Sequence, residues 1–217
     1  MSDSWKKLVE EANDSYGRGK VPEAEVKLLA ALEEAEKFGE DDARLALTLN
    51  NLAAIYHEQG KYTMAEPLYK RALDIRIRLH GECHPDIAVN HHNLAVLFSA
   101  RRMYPMAENH YKAALEMKET LYGKDAAELL NTLQYYAQLM KVQNRLVERQ
   151  MIESRAKTIA AKLGLDQEAT PIPLKRGNAA AGKSKLSVTQ ISDNDQHDHG
   201  SGCCESKDDN STKATVG

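Results

Sequence analysis

The chain has 217 residues, of which 42% are hydrophobic and 28% charged, and its formal net charge is −3. This composition indicates a soluble chain long enough to bury the core of one domain, without the basic excess typical of nucleic-acid-binding proteins. The sequence also lacks an apolar run of roughly 20 residues that could cross a membrane, and its N-terminus lacks the apolar core of a signal peptide. We therefore predict a cytoplasmic protein that binds neither nucleic acid nor membranes.

In chain order, the sequence predicts four helical hairpins. Each consists of two stretches with helical periodicity separated by a short break, and no comparable stretch alternates with the period of a strand. The hairpins span about residues 4–39, 43–81, 85–123 and 126–164. Their internal breaks lie near Gly19, Gly60, Arg102 and Asn144.

The hairpins repeat one another at an offset of 42 residues. The segment GKYTMAEPLYKRALDI at residues 60–75 reappears as RMYPMAENHYKAALEM at residues 102–117. Glycines that follow the second helical stretch of each unit recur at nearly the same spacing, at Gly39, Gly81, Gly123 and Gly164. Because glycine adopts a positive φ without a Cβ clash, we predict that each of them ends a helix.

The composition changes after the fourth hairpin. Residues 166–217 are rich in Gly, Ser, Asp, Asn and Thr and poor in aromatic residues. Such a segment buries too little apolar surface to offset the entropy of ordering it. We predict a repeat domain over residues 1–165 and a disordered low-complexity tail over residues 166–217.

The repeated residues resemble the tetratricopeptide repeat, a helix-turn-helix unit with fixed large and small positions. The matching residues are Leu52, Ala53, Tyr56, Ala65, Tyr69 and Ala72, and then Leu94, Ala95, Phe98, Ala107, Tyr111 and Ala114. The 42-residue period and the motifs NNLA and HPDIA make the units similar to the kinesin-light-chain type of this repeat. The resemblance implies an all-α fold, a right-handed α-solenoid of about four hairpins, and a non-enzymatic protein without a cofactor.

The outer units depart from the pattern. The first unit is one residue short near Tyr16, and the last has Tyr136, Arg149 and Glu153 where Leu, Ala and Tyr are expected. Polar replacements in end repeats close the core of a solenoid to water. We therefore predict that both outer units act as caps.

The first helices of such a stack line a concave groove, which in this family holds a peptide segment or a helix of another protein. The groove positions predicted from the register are largely uncharged, and their amides can both donate to and accept from a peptide backbone. The candidate partner-binding residues are Asn50, Asn51, His57, His92, Asn93, Gln134, Tyr135 and Gln138. The resemblance places Asn51 and Asn93 at the NNLA asparagine that holds the partner backbone, and we expect neither to face the core.

An alternative function rests on two motifs of the tail. The segment GNAAAGKS at residues 177–184 matches a phosphate-binding loop, but no buried strand precedes it and no helix follows it. The segment HDHGSGCC at residues 197–204 collects histidines and cysteines without a fold to position them as metal ligands. The two hypotheses are therefore a non-enzymatic adaptor, which we favour, and a nucleotide- or metal-dependent protein that uses the tail.

Overall fold

The structure is a computed structural model that describes residues 2–165. The predicted disorder of residues 166–217 and both tail motifs lie outside the described residues. Within residues 2–165 the chain forms eight α-helices and no strand, which confirms the predicted all-α class. The helices are α1 Ser2–Gly17, α2 Val21–Glu36, α3 Ala43–Glu58, α4 Tyr62–His80, α5 Pro85–Ala100, α6 Tyr104–Tyr122, α7 Glu128–Val142 and α8 Leu146–Lys162.

The helices pair into four hairpins that stack in chain order. Each odd-numbered helix packs against the even-numbered helix that follows it, and each even-numbered helix packs against the first helix of the next hairpin. In addition, α5 touches both α3 and α7, whereas the described even-numbered helices make no comparable contacts with one another. The first helices therefore lie on the inner, concave side of a solenoid, and the second helices form its outer side.

The turns inside the hairpins share one conformation. Gly19, Gly60, Arg102 and Asn144 all have φ between 59° and 76°. In each turn the N–H of the next residue donates to the carbonyl five residues back, as Lys61 does to Tyr56 at 2.8 Å and Met103 to Phe98 at 2.9 Å. This bond satisfies a carbonyl that the helix end leaves open. The predicted breaks are confirmed, although two of the four turns hold a residue with a Cβ in the left-handed region.

We expect the substitution Arg102→Gly to raise the free energy of unfolding by about 0.5–1 kcal/mol, because it removes the Cβ clash at positive φ. The equivalent turn offers the matched control. Gly60 has no atom within 4 Å of an added Cβ, so Gly60→Ala tests backbone strain alone and should cost about 1 kcal/mol. Urea unfolding measures both variants, and a stabilised Gly60→Ala would contradict the interpretation.

The second helices supply the core between hairpins. Tyr69 is 4% exposed and Tyr111 is fully buried. The alanines one turn before and after each tyrosine are also fully buried: Ala65, Ala72, Ala107 and Ala114. Small side chains let the next hairpin approach closely, and the tyrosine ring fills the remaining space. This alternation repeats along the stack and confirms the packing expected from the sequence.

The fourth hairpin has polar residues at two positions that are apolar in the third. Arg149 and Glu153 occupy the α8 positions that correspond to the alanine and tyrosine of α6, and Arg149 Nε donates to Glu153 at 2.7 Å. Both side chains are about one-third exposed. At these two positions an ion pair replaces the apolar packing seen on α6, whereas Leu146, Val147 and Met151 of α8 are exposed apolar side chains.

Replacing Tyr111 with alanine should lower the free energy of unfolding by roughly 3–5 kcal/mol, as large deletions in a packed core do. Tyr122 on the same helix is 43% exposed, so Tyr122→Ala is the matched control and should cost less than about 1 kcal/mol. Urea unfolding of the two variants distinguishes them. Equal losses would mean that the register of α6 is wrong.

Candidate functional site

The inner faces of α3, α5 and α7 form the candidate site. Five of the eight predicted partner-binding residues are half-buried there, so part of each side chain reaches the surface. These five are His57, Asn93, Gln134, Tyr135 and Gln138. On α5, the half-buried Val89 and Val96 lie one turn before and one turn after Asn93, which places an amide between two apolar side chains on one helical face.

The other three predicted residues are buried. Asn50 is 1% exposed, Asn51 is 0% and His92 is 8%. The expectation that Asn51 stays clear of the core is therefore wrong. Every residue from Leu45 to Ala53 is buried, because α3 is enclosed by α2, α4 and α5. Asn50 also accepts a hydrogen bond from Asn93 of α5, so this part of the inner row is an interface between helices.

A chain of amides connects the buried residues to the surface. Asn93 Nδ2 donates to Asn50 Oδ1 at 2.9 Å, across the interface between α5 and α3. Asn50 Nδ2 is 3.5 Å from Asn51 Oδ1, at the outer limit of a hydrogen bond. Asn51 Nδ2 and His92 Nδ1 have no partner among the described residues. Because Asn50 fixes the orientation of Asn93, the amide of Asn93 still offers its Oδ1 and its second Nδ2 proton to a ligand.

The histidines of the groove are neutral. Burial, with a smaller contribution from Lys118, lowers the pKa of His92 to about 3. Burial alone lowers the pKa of His57 to about 4. His92 also makes edge-to-face contacts with Tyr135 at 5.1 Å and with Tyr111 at 5.9 Å between ring centroids. Neither histidine contributes a positive charge near neutral pH, and the groove floor between α5 and α7 is aromatic.

Sequence reasoning missed a set of buried bonds that position the first helices. In three successive units, a donor from the preceding unit holds one side chain on the first helix of the next. The pairs are Trp5 Nε1 with Thr48 Oγ1 at 2.8 Å, Arg76 with Asn90 Oδ1, and Lys118 Nζ with Thr132 Oγ1 at 2.9 Å. The acceptors are 42 residues apart, and so are Arg76 and Lys118, which is the signal that could have revealed them.

The two cations also hold the starts of α5 and α7. Arg76 Nη1 donates to the carbonyl of Asp86 at 3.1 Å, and Lys118 Nζ donates to the carbonyl of Glu128 at 2.9 Å. Burial lowers the pKa of both cations, although the Asp86 and Glu128 carboxylates oppose that effect. These bonds therefore hold α5 against α4 and α7 against α6, and so help to position the first helices of the third and fourth hairpins.

Arg76→Met should lower the free energy of unfolding by roughly 2–4 kcal/mol, because it leaves the buried Asn90 side chain and the Asp86 carbonyl without their donor. Arg71 on the same helix is the matched control, since its exposed pair with Glu36 spans 3.4 Å. Arg71→Met should cost less than about 1 kcal/mol. Urea unfolding checks the difference, and a small effect of Arg76→Met would show that the bond does not stabilise the stack.

A cluster of possible metal ligands lies between α4 and α5. The ligand atoms of His80, His84 and Asp86 all lie within 4.8 Å of one another. The two imidazole rings are stacked at 3.9 Å and 11°, however, so their lone pairs do not converge on one point. His84 Nδ1 accepts from the N–H of Asp86 at 3.2 Å, and the Asp86 carboxylate is 3.9 Å from Arg76 Nε. This geometry is that of a helix cap with a balanced charge rather than a metal site.

Comparisons with known proteins agree with the architecture. Two overlapping matches to the tetratricopeptide repeat model cover residues 8–78 and 44–120, which together exceed half of the chain. The structure of BtubC (BKLC) from P. vanneervenii is similar, with 25% identity, coverage of 83% of this chain and 71% of that one, and a TM-score of 0.68. No curated protein sequence has a significant match to this chain.

Two further structures come from a Podosopora anserina putative kinesin light chain with nearly identical TPR-like repeats. One is 18% identical over 76% of this chain and 79% of that one, with a TM-score of 0.65. The other, of a variant of the same protein, is 18% identical over 74% and 76%, with a TM-score of 0.64. At this identity the two structures are evidence for the fold alone.

None of the helices within residues 2–165 is both long enough and apolar enough to cross a membrane. Tetratricopeptide repeats generally form scaffolds that bind other proteins and are typically non-enzymatic. The family matches show that this chain belongs to the tetratricopeptide repeat family, and the similar structures show that its fold is of the kinesin-light-chain-like type.

Proposed function

We propose that the protein is a non-enzymatic adaptor that binds an extended peptide segment of another protein along the inner faces of α3, α5 and α7. The observation that carries this proposal is the row of half-buried amides on neighbouring inner helices, Asn93 on α5 and Gln134 and Gln138 on α7. A side-chain amide can donate to a peptide carbonyl and accept from a peptide N–H, so this row suits recognition of the main chain.

The spacing of the inner helices supports an extended ligand. Packed helices lie about 8–10 Å apart, and an extended chain advances about 3.3 Å per residue. A peptide running across the helices would therefore meet a new one at about every third residue. Val89 and Val96 beside Asn93, and the ring of Tyr135, would contact its apolar side chains.

The predicted residues divide into two roles in this proposal. The half-buried residues Asn93, Gln134, Tyr135, Gln138 and His57 contact the partner. The buried residues act through them: Asn50 holds the amide of Asn93 and His92 supports the ring of Tyr135. Asn51 lies beneath the surface and contributes through Asn50.

A peptide library displayed on phage, selected against the full chain, supplies a ligand for the test. We expect Asn93→Ala combined with Gln138→Ala to weaken the selected peptide on the order of tenfold to hundredfold, because each lost hydrogen bond contributes about 0.5–1.5 kcal/mol. The matched control is Asn109→Ala combined with Gln150→Ala, two exposed amides on the outer helices α6 and α8. The control should retain full affinity in a calorimetric titration.

Other outcomes of the same titration are equally informative. Binding should depend weakly on salt, because the inner amides and valines carry no charge and screening has little to act on. Equal losses in both double variants would move the site off the inner helices. Because the proposed site lies outside the tail, Lys183→Ala in GNAAAGKS should leave peptide affinity unchanged.

A further inference from the structure

We infer that the contact between His91 and His110 makes the third hairpin, α5–α6, an acid-sensitive unit of the stack. Protonation of this pair would loosen the hairpin that carries Asn93 at the centre of the groove. The acid sensitivity does not depend on the proposed function. Only its consequence for binding rests on that function.

Comparison of the units indicates that the pair is a local replacement. His91 stands where the flanking units have Leu49 and Leu133, each at an offset of 42 residues. His110 stands in the same way where they have Leu68 and Ile152. In the second unit both leucines belong to one apolar core cluster, and in the fourth unit Leu133 and Ile152 likewise share a cluster. The third hairpin therefore has two imidazoles at positions that are apolar in its neighbours.

The geometry of the pair allows only certain protonation states. The two Nδ1 atoms are 2.9 Å apart, and the His110 ring stacks on Phe98 with centroids 5.4 Å apart. One Nδ1 must carry a proton and the other must accept it, which a neutral or singly protonated pair can do. When both rings are protonated, two N–H groups point at each other and two positive charges meet. The contact must then break.

The surroundings of the pair oppose protonation. Burial lowers the pKa of His91, and burial, His91 and Lys70 together lower the pKa of His110 to about 4. Lys70, which faces the pair from α4, is itself bonded to Glu66 at 2.7 Å. No charged group of α3 or α7 shifts the pKa of either ring. The nearby charges therefore add to the effect of burial.

The direction of the pH effect follows from the different pKa of His110 in the folded and the unfolded chain. A histidine in the unfolded chain has a pKa of about 6.5, whereas the pKa of His110 in the folded chain is about 4. As the pH falls below about 6.5, the unfolded chain binds protons that the folded chain excludes. The contribution of the neutral His110 to the free energy of unfolding is therefore complete above a pH of about 6.5. It is lost progressively as the pH falls toward about 4.

Urea unfolding of the full chain at neutral and mildly acidic pH tests the inference. The test variant is His91→Leu with His110→Leu, which installs the kind of residue that the flanking units carry. On acidification, we expect the unfolding constant of the wild type to rise about tenfold or more beyond that of the variant, since each unit of pKa shift corresponds to tenfold. His57 and His92 are present in both proteins, so their own titrations cancel in the comparison.

Amide hydrogen exchange then locates the effect. After correction for the intrinsic rate, protection in α5 and α6 should fall more on acidification in the wild type than in the double variant, whereas protection in α3 and α4 should respond equally in the two proteins. Equal pH responses of wild type and variant, or a loss of protection spread evenly over all helices, would overturn the inference.

Nitrogen NMR of the wild-type imidazoles provides a test that needs no variant. At neutral pH one ring of the pair should be protonated at Nδ1 and the other at Nε2, and both should remain neutral well below the ordinary histidine pKa. Two Nε2-protonated rings, or ordinary titration of both, would also overturn the inference. None of these experiments uses a ligand, so their failure leaves the peptide-binding proposal untouched, and failure of peptide selection leaves the histidine inference untouched.

Discussion

The fold depends on one constraint: a single helical hairpin of this chain cannot bury its own apolar surface. Tyr111 on α6 stacks on Tyr136 of α7 with ring centroids 5.7 Å apart, and Tyr69 is buried at the equivalent position of α4, each between alanines that allow close approach. A hairpin is therefore stable only when a neighbour covers it, which couples the hairpins into one cooperative stack. On α8 the Arg149–Glu153 ion pair stands at the positions of the alanine and tyrosine of α6.

Polar contacts determine how the hairpins are set against one another. Glutamates at equivalent positions reach the turn of the following hairpin: Glu25 bonds to Gln59 at 2.6 Å, Glu66 pairs with Arg101, and Glu108 pairs with Arg145 at 2.5 Å. Arg145 contributes most to holding the pKa of Glu108 down to about 2. Partly exposed pairs contribute only about 0–1 kcal/mol each, far less than a buried tyrosine. Packing therefore provides most of the stability, while the glutamate contacts and the side-chain bonds of Arg76 and Lys118 favour one register.

The packing of neighbouring helices around the inner helices has two consequences for function. It buries Asn50 and Asn51 on α3, so the exposed part of the inner row lies toward Asn93 and α7. It also removes histidine side chains from water, which favours their neutral forms. The groove is consequently a surface of amides, valines and a tyrosine, which suits a peptide backbone better than a charged chain end.

The sequence by itself determined the local structure. Glycines at regular spacing mark most of the helix ends because glycine adopts positive φ without a Cβ clash, and the 42-residue offset identified the large and small core positions. The groove positions could also be assigned to the first helices, since helical periodicity places them on one face.

The tertiary structure alone decided which of those positions reach a partner. A residue on the inner face of a helix is exposed or buried according to how all the neighbouring helices pack around it, and the sequence of one helix contains no record of that packing. This is why Asn51 and Asn93, alike in the repeat, differ in burial. The Nδ1 contact of His91 with His110, and the bond from Trp5 to Thr48, likewise join residues 19 and 43 positions apart. Such contacts exist only once the helices that carry them have packed.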